Sequence, residues 1–460
     1  MLYFDNLSRD TSNAYLTDGL TEELTERLGD VGRLRVSGRN AVRRAQQTIA
    51  GDFSALGRVL RVNYLVEGSV RRDANLVRVS VRLLRASDGL RVWGETYDRN
   101  LTDVLALEGE IAEQVASNVA GRLLPGERAT LSARPTMDAE AYDHFLRGSY
   151  FTGLRSTAGF QRAVEEFDAA LERDPQFAAA EAKRAYAYSV GWAYGAAWDP
   201  ADTLKARAER FAHDAIRLDS MSSDAWLARS SAAAVVGQDF VTARAAGERA
   251  VTLDPRNAEA VHSLGVIYAW LGADDLAITQ FHAALKLDPA RAVDLLDLAE
   301  VLYTLRQSAA ALPLLDSALA IDPGMGRAFL ARARVRLALG NATEAHQDAL
   351  QAIRLAPPWW HAEALAVDAR AQLASGDTAA ANVRIAEVEH LGANTWGYPI
   401  ALLAVGRDDS ALAALERLHM ERITSGMVWD YLSRPEFDRV RASPRFQHLV
   451  QAWRPAGAVR

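Results

Sequence analysis

Close carboxylate pairs such as Glu22/Glu23, Glu108/Glu110 and Glu165/Glu166, and nine histidines, are the residues of this 460-residue chain best suited to proton transfer or metal binding. Paired carboxylates serve acid–base chemistry when their surroundings drive their proton affinities apart, and histidine titrates near neutral pH. All three pairs fall in helix-forming stretches, where such charges ordinarily face water. The histidines are scattered: His262, His282 and His346 sit on separate helices, with no second ligand at metal-binding spacing. Cysteine is absent, which removes disulfides and thiolate metal sites. No G-x-x-x-x-G-K-S/T loop offers a cradle for phosphate, and no G-x-G-x-x-G turn follows a strand. H-E-x-x-H, G-x-S-x-G and the kinase signatures are missing as well. The reading is of a non-enzymatic chain, with no catalytic residue, no cofactor and no metal.

Bulk properties narrow the partners. A chain that is 49% hydrophobic and 24% charged is ordinary globular material, long enough for more than one domain. Its net charge of −7 offers no general attraction to nucleic acid or anionic membranes. No run approaches the ~18 apolar residues of a membrane span, and the first residues lack a basic-then-apolar leader. The expectation is a protein or peptide partner, with no nucleic acid and no membrane contact. Compartment and oligomeric state stay open.

The elements that would hold such a partner are marked by alanines. Pairs seven residues apart occur at Ala163/Ala170, Ala208/Ala215, Ala243/Ala250, Ala277/Ala284, Ala311/Ala318 and Ala345/Ala352. Their first members are separated by 45, 35, 34, 34 and 34 residues. Proline follows all but one pair, at Pro175, Pro255, Pro289, Pro323 and Pro357, with Ser220 the exception. In the unit Ala258–Arg291, Leu264, Gly265 and Tyr268 share one helix face, and Ala277, Phe281, Ala284 and Leu285 share another, with Gly272 breaking the chain between. Small residues let the helices approach while Tyr268 and Phe281 fill the remaining space. Pro289 ends the second helix. These residues, with the tokens Leu253-Asp254-Pro255, Leu287-Asp288-Pro289 and Ile321-Asp322-Pro323, resemble the tetratricopeptide repeat, whose period is 34 residues.

The preceding segment has a different periodicity. Apolar residues at Val77, Val79, Val81 and Leu83 alternate with Arg78, Ser80 and Arg82, a strand with one solvated face. Ser87-Asp88-Gly89 turns it into a returning strand over 90–97, and Tyr64–Arg71 precedes it through Asp73-Ala74-Asn75. Short apolar runs at Leu2–Phe4 and Leu34–Ser37 are further strand candidates, with helices near 17–28, 52–60 and 101–124. This order predicts a small α+β domain over residues 1–125, then a linker over 126–137. An all-α solenoid of seven to eight repeats over 138–430 and a capping helix with tail over 431–460 complete the chain.

The runs Tyr3-Phe4-Asp5-Asn6-Leu7-Ser8, Asp18-Gly19-Leu20-Thr21-Glu22-Glu23-Leu24, Tyr64-Leu65-Val66-Glu67-Gly68-Ser69-Val70-Arg71 and Val92-Trp93-Gly94-Glu95-Thr96-Tyr97-Asp98-Arg99 look like the domain related to the amino-terminal part of TolB. That domain precedes tetratricopeptide arrays in bacterial regulatory proteins, often behind a kinase, cyclase or winged-helix effector. The resemblance implies either a free scaffold or the sensory portion of a signalling protein whose effector lies outside this chain.

In such arrays the first helix of each unit lines a concave groove that holds peptides. The register places Tyr186, His262, Val266, Leu296, Glu300, Leu330 and Arg334 on that wall. The enlarged unit carries an aromatic insertion, with Trp192, Tyr194 and Trp198 as a candidate lip.

Overall fold

The computed structural model describes residues 1–8, 14–49, 51–73, 76–100, 103–194, 200–418 and 425–459. The chain divides into two compact units. The first comprises Met1–Gly237, Arg249–Arg256 and Leu287–Ala290; the second comprises Gln238–Glu248, Asn257–Lys286 and Arg291–Arg460.

The first unit begins with a four-stranded mixed sheet ordered β1-β2-β3-β4, formed by β1 (Asp5–Asn6), β2 (Tyr64–Asp73), β3 (Leu76–Arg85) and β4 (Arg91–Asn100). β1 runs parallel to β2, and the other pairings are antiparallel. The alternation in β3 acts as expected: Val77, Val79, Val81 and Leu83 are buried. On the opposite face Arg78 pairs with Asp98 at 2.6 Å and Arg82 with Glu67 at 2.8 Å. The hairpin turn is held by Asp88, whose carboxylate accepts the Leu90 N–H at 3.0 Å, and by Gly89 at φ +70°. The Ala74-Asn75 part of the other expected turn lies outside the described residues.

Helices α1 (Ala14–Asp30) and α4 (Val104–Ala120) pack on this sheet. Leu65, Leu84 and Ala86 instead join a cluster with Val42 of α2 (Arg39–Thr48) and Leu56 of α3 (Phe53–Leu60). The expected strand at Leu34–Ser37 is irregular backbone, and α2, which the periodicity does not announce, follows it. Val42 and Ala45 are the buried residues among its ten. Residues 126–137, expected as linker, contain most of α5 (Pro125–Ser132). Its proline occupies the first turn, and the Glu127 carboxylate accepts the Leu124 N–H at 2.7 Å.

Paired helices follow: α6 (Ala139–Gly153) with α7 (Thr157–Arg173), and α8 (Ala178–Ala193) with α9 (Ala201–Leu218). α10 (Ser223–Ser231) continues into a π-helical turn at Ala232–Gly237 and precedes α11 (Phe240–Leu253). The second unit then holds α12 (Ala258–Trp270) with α13 (Asp274–Leu287), α14 (Ala292–Thr304) with α15 (Ser308–Ile321), and α16 (Gly326–Ala338) with α17 (Ala342–Leu355). α18 (Pro358–Ala374) with α19 (Thr378–Leu391), and α20 (Gly397–Ala404) with α21 (Asp408–Arg417), complete eight described pairs. The fold is thus an α+β domain followed by an all-α array of tetratricopeptide-like helix pairs.

All twelve alanines of the six pairs are fully buried, at 0% exposure. Gly148 and Gly265 show the same closeness from the facing helix. A Cβ there would lie 2.6 Å from the Phe167 ring and 2.9 Å from the Phe281 ring, respectively. The aspartates that end the units seal the turns. Asp174, Asp219, Asp254 and Asp322 each accept the N–H two residues on, at 2.9–3.0 Å.

Asp288 makes this bond more loosely, at 3.3 Å to Ala290, because its carboxylate also caps α2. It accepts the backbone N–H groups of Asn40 and Ala41, both at 3.0 Å, and the Asn40 side-chain amide at 2.9 Å. Gly38 permits the approach: a Cβ there would fall 2.3 Å from that of Asp288. These contacts lie within the first unit. Asp288→Ala is expected to cost about 1 kcal/mol of stability, the usual loss for an N-cap, read as a lower urea midpoint. An unchanged midpoint would remove this contact from the account.

The sheet domain joins the first helix pair through polar groups. Tyr15 donates to Asp143 at 2.7 Å and accepts from Arg72 at 2.8 Å. Beside them Glu108 is fully buried and accepts the Tyr142 hydroxyl at 2.5 Å, with the Arg27 guanidinium 3.7 Å away. Burial, reinforced by the nearby Glu23 carboxylate, pushes Glu108 up to about 8. Below pH ~4.5 both folded and unfolded chains hold this proton; as pH rises toward 8 only the unfolded chain releases it, so stability falls across that window. Glu108→Gln, which cannot ionise, is expected to flatten this slope and to gain on the order of a few kcal/mol over wild type at pH 8.5. Thermal melts from pH 4.5 to 8.5 measure it, and parallel profiles for the two proteins would contradict it.

Candidate interaction groove

In the second unit, the first helices of successive pairs carry a run of alternating charges. Arg334 of α16 is 3% exposed and lies 2.7 Å from Glu300 of α14 and 2.7 Å from Glu363 of α18. Glu363 in turn meets Arg434 at 2.9 Å. The spacing follows from the repeat: Glu300 and Arg334 differ by one period, so equivalent helix positions meet side by side. Arg327 adds a second cation to Glu300 at 2.9 Å.

Burial alone would raise Glu300, but Arg327, Arg334 and Arg434 outweigh it and hold the carboxyl at about 2. Glu436 shows the same balance: burial raises it, and Arg370, Arg334 and Arg434 bring it below the usual range. Tyr303, one turn beyond Glu300, donates to Glu436 at 2.9 Å, and Arg370 of α18 approaches the same carboxylate at 3.2 Å. Burial, and then the Glu436 charge, push the Tyr303 hydroxyl well above the ordinary phenol range.

Arg434 and Glu436 belong to the stretch that follows α22 (Ser425–Ser433), which ends in a 3-10 turn at Pro435–Phe437 before α23 (Pro444–Trp453). The closing segment therefore has two roles. Phe437, Val440, Phe446 and Leu449 join a core with Ile400 and Leu412 of the last helix pair, as a cap would. α22 also packs on α12, and Val459 donates its N–H to the Leu271 carbonyl at 2.8 Å, so the stretch returns along the first helices of the earlier pairs.

The other expected wall residues sort by burial. His262 is 5% exposed, with Nδ1 2.7 Å from Asp294 and Nε2 3.7 Å from Asp297. Val266 is half-buried on the same helix. Leu296 packs among α14 and α15 residues, and Leu330 packs against Trp360 and Val367, so both are interhelical core and offer nothing to a ligand. Tyr186 lies in the first unit and is 8% exposed; Lys183, one turn earlier, sits over the Phe145 ring at 5.7 Å. Of the insertion, Trp192 is buried and the Tyr194 ring lies 5.1 Å from Phe160, while Trp198 lies outside the described residues. Tyr303, Glu363, Arg370, Arg434 and Glu436 escaped the sequence reading. Tyr303 shares a helix face with the expected position Glu300, but the register weakens after Pro357, before Glu363 and Arg370, and the Arg434–Glu436 stretch lies beyond the repeats. Among the described residues no three His, Asp or Glu side chains are grouped to hold a metal ion, and no helix is long and apolar enough to cross a membrane.

No family model matches the chain. A protein of Rhizobium meliloti (strain 1021) described as "Putative adenylate cyclase 3" is 34% identical over 182 residues, which is 40% of this chain and 31% of that protein. Among solved structures, the APC/C hetero-tetramer Cut9-Hcn1 gives a TM-score of 0.49 at 15% identity over 75% of this chain and 59% of its own. The pilF protein of Pseudomonas aeruginosa gives 0.40 at 16% identity over 47% of this chain and 95% of its own.

The depressed Glu300 carboxyl stabilises the fold fully above pH ~4.5, and this contribution is lost as pH falls toward 2. Glu300→Gln is expected to cost about 2 kcal/mol at pH 6, reduced from a fully buried pair by the residue's partial exposure. Its difference from wild type in urea titrations should shrink steadily between pH 4.5 and 2.5. A difference independent of pH would show that the charge does not matter.

Proposed function

We propose that this chain is a non-catalytic protein-interaction and regulatory module, forming part of a larger signalling protein. The observation that carries the reading is the mostly buried line of first-helix charges from Glu300 through Arg334 to Glu363, in which Glu300 and Arg334 stand one repeat period apart, ion pairing of the kind by which such arrays hold a polypeptide. The match to a protein described as an adenylate cyclase supports the signalling context, with the effector activity belonging to sequence outside the segment they share. The mixed sheet with α1 and α4 packed on it supports the resemblance to the amino-terminal TolB domain. Within the second unit His262, Val266, Glu300 and Arg334 are the proposed partner-facing positions, Tyr186 is a separate proposed position in the first unit, and a protein or peptide is the proposed ligand.

Affinity capture with the full chain as bait tests this, comparing wild type with Arg334→Glu and with Tyr186→Arg, each checked for helicity by circular dichroism. Loss of a reproducible partner in at least one folded variant is expected. The same recovery from all three baits would overturn the groove as the working surface. Conversion of ATP to cyclic AMP by the purified chain would overturn the non-catalytic reading.

A further inference from the structure

We propose that the stretch from Gly426 to Asp438 is a built-in ligand of the second unit's groove. An external partner of this groove is then a helical segment with an apolar stripe followed by an arginine and, two residues on, a glutamate. This rests on reading the array as an interaction module and adds what it recognises and what must be displaced.

The seat of the stretch carries the inference. Glu300 and Arg334 are wall positions by register alone, and the chain bound beside them is its own. Arg434 meets Glu363 at 2.9 Å, next to the Arg334 contact on the same carboxylate oxygen. Glu436 receives the Tyr303 hydroxyl at 2.9 Å, and Arg306 donates to the Ser433 carbonyl at 2.9 Å and pairs with Asp438. At the other end Gly426 lies against Phe240 and Trp270: a Cβ there would stand 2.7 Å from the Phe240 ring and 2.9 Å from the Trp270 Cβ. These side-chain ion pairs and carbonyl contacts are the kind by which a groove reads a peptide.

The fit is also incomplete. Arg334 Nε, Trp429 Nε1 and Glu436 Oε2 are buried with no hydrogen-bond partner among the described residues. An incoming segment that pairs these groups gains hydrogen bonds that the resident one does not make. The partner's chemistry follows from what leaves. Val428, Tyr431 and Leu432 are buried against the last helices, so a replacement must bring apolar residues ahead of its arginine and glutamate.

The test uses the full chain and a fluorescein-labelled synthetic peptide of residues 425–441, followed by anisotropy. Wild type is expected to bind the peptide weakly, because the site is filled. The variant Arg434→Glu with Glu436→Arg, which weakens the resident segment and leaves the wall intact, is expected to bind at least tenfold tighter. Adding Arg334→Glu to that variant should abolish the gain. Binding no tighter than wild type would overturn the proposal. Hydrogen exchange on the wild-type chain tests it without any variant. Amides of 428–433 should exchange through an opening of lower free energy than those of 361–372 in α18, and equal protection would make the stretch an ordinary core helix. A chain that captures partners yet fails both tests loses only the built-in ligand, not the interaction reading.

Discussion

Six of the eight described helix pairs rest on a gap filled by the methyl groups of two alanines. The alanine pairs of the second helices are fully buried, and Gly148 and Gly265 receive an aromatic ring where a Cβ would clash. Close packing of this kind tolerates neither a void nor an extra methylene without a cost of about 1–3 kcal/mol. A steric limit repeated every 34 residues fixes the rotation of each first helix, and with it which side chains meet along the array. The alignment of Glu300 with Arg334 is a by-product of that packing.

What could be read from the residues was what short-range periodicity writes. The alanine pairs, the closing aspartate-proline tokens and the alternation in β3 are local signals, and each leads to the element it implies. Two kinds of feature left no such mark. α2 has only Val42 and Ala45 on its buried face, and its amino-terminal N–H groups are satisfied by a residue 247–248 positions away. The path of the closing segment is set by pairings such as Tyr303 with Glu436, 133 residues apart, which no helical or strand period encodes. Leu296 and Leu330 were placed on the wall because a helix face is wider than a groove. Leucines at its margin pack into the interhelical core, while Glu300 and Arg334 at the same margin pair with charges of neighbouring elements.

Glu108 and Glu300 show how the same carboxylate takes opposite roles in the two units. Both are removed from bulk water, and burial pushes both upward. Around Glu108 there is one guanidinium at 3.7 Å and a neighbouring negative charge, so burial prevails. Around Glu300 there are three arginines, and the attraction prevails. A larger number of cations, together with shallower burial, separates the acid that stays ionised in strong acid from the one that keeps its proton near neutral pH.

The cap that Asp288 places on α2 bears on the order in which the chain can assemble. A ribosome releases α2 long before residue 288, so the helix spends much of synthesis with its first N–H groups bound only by water. Short helices are marginal on their own, and α2 has ten residues. The sheet and α1 can form early from their own neighbourhood, whereas α2 is completed only after four further helix pairs have been made. An early helix of this sequence is therefore finished late, and its completion requires that the chain has been made as far as Asp288.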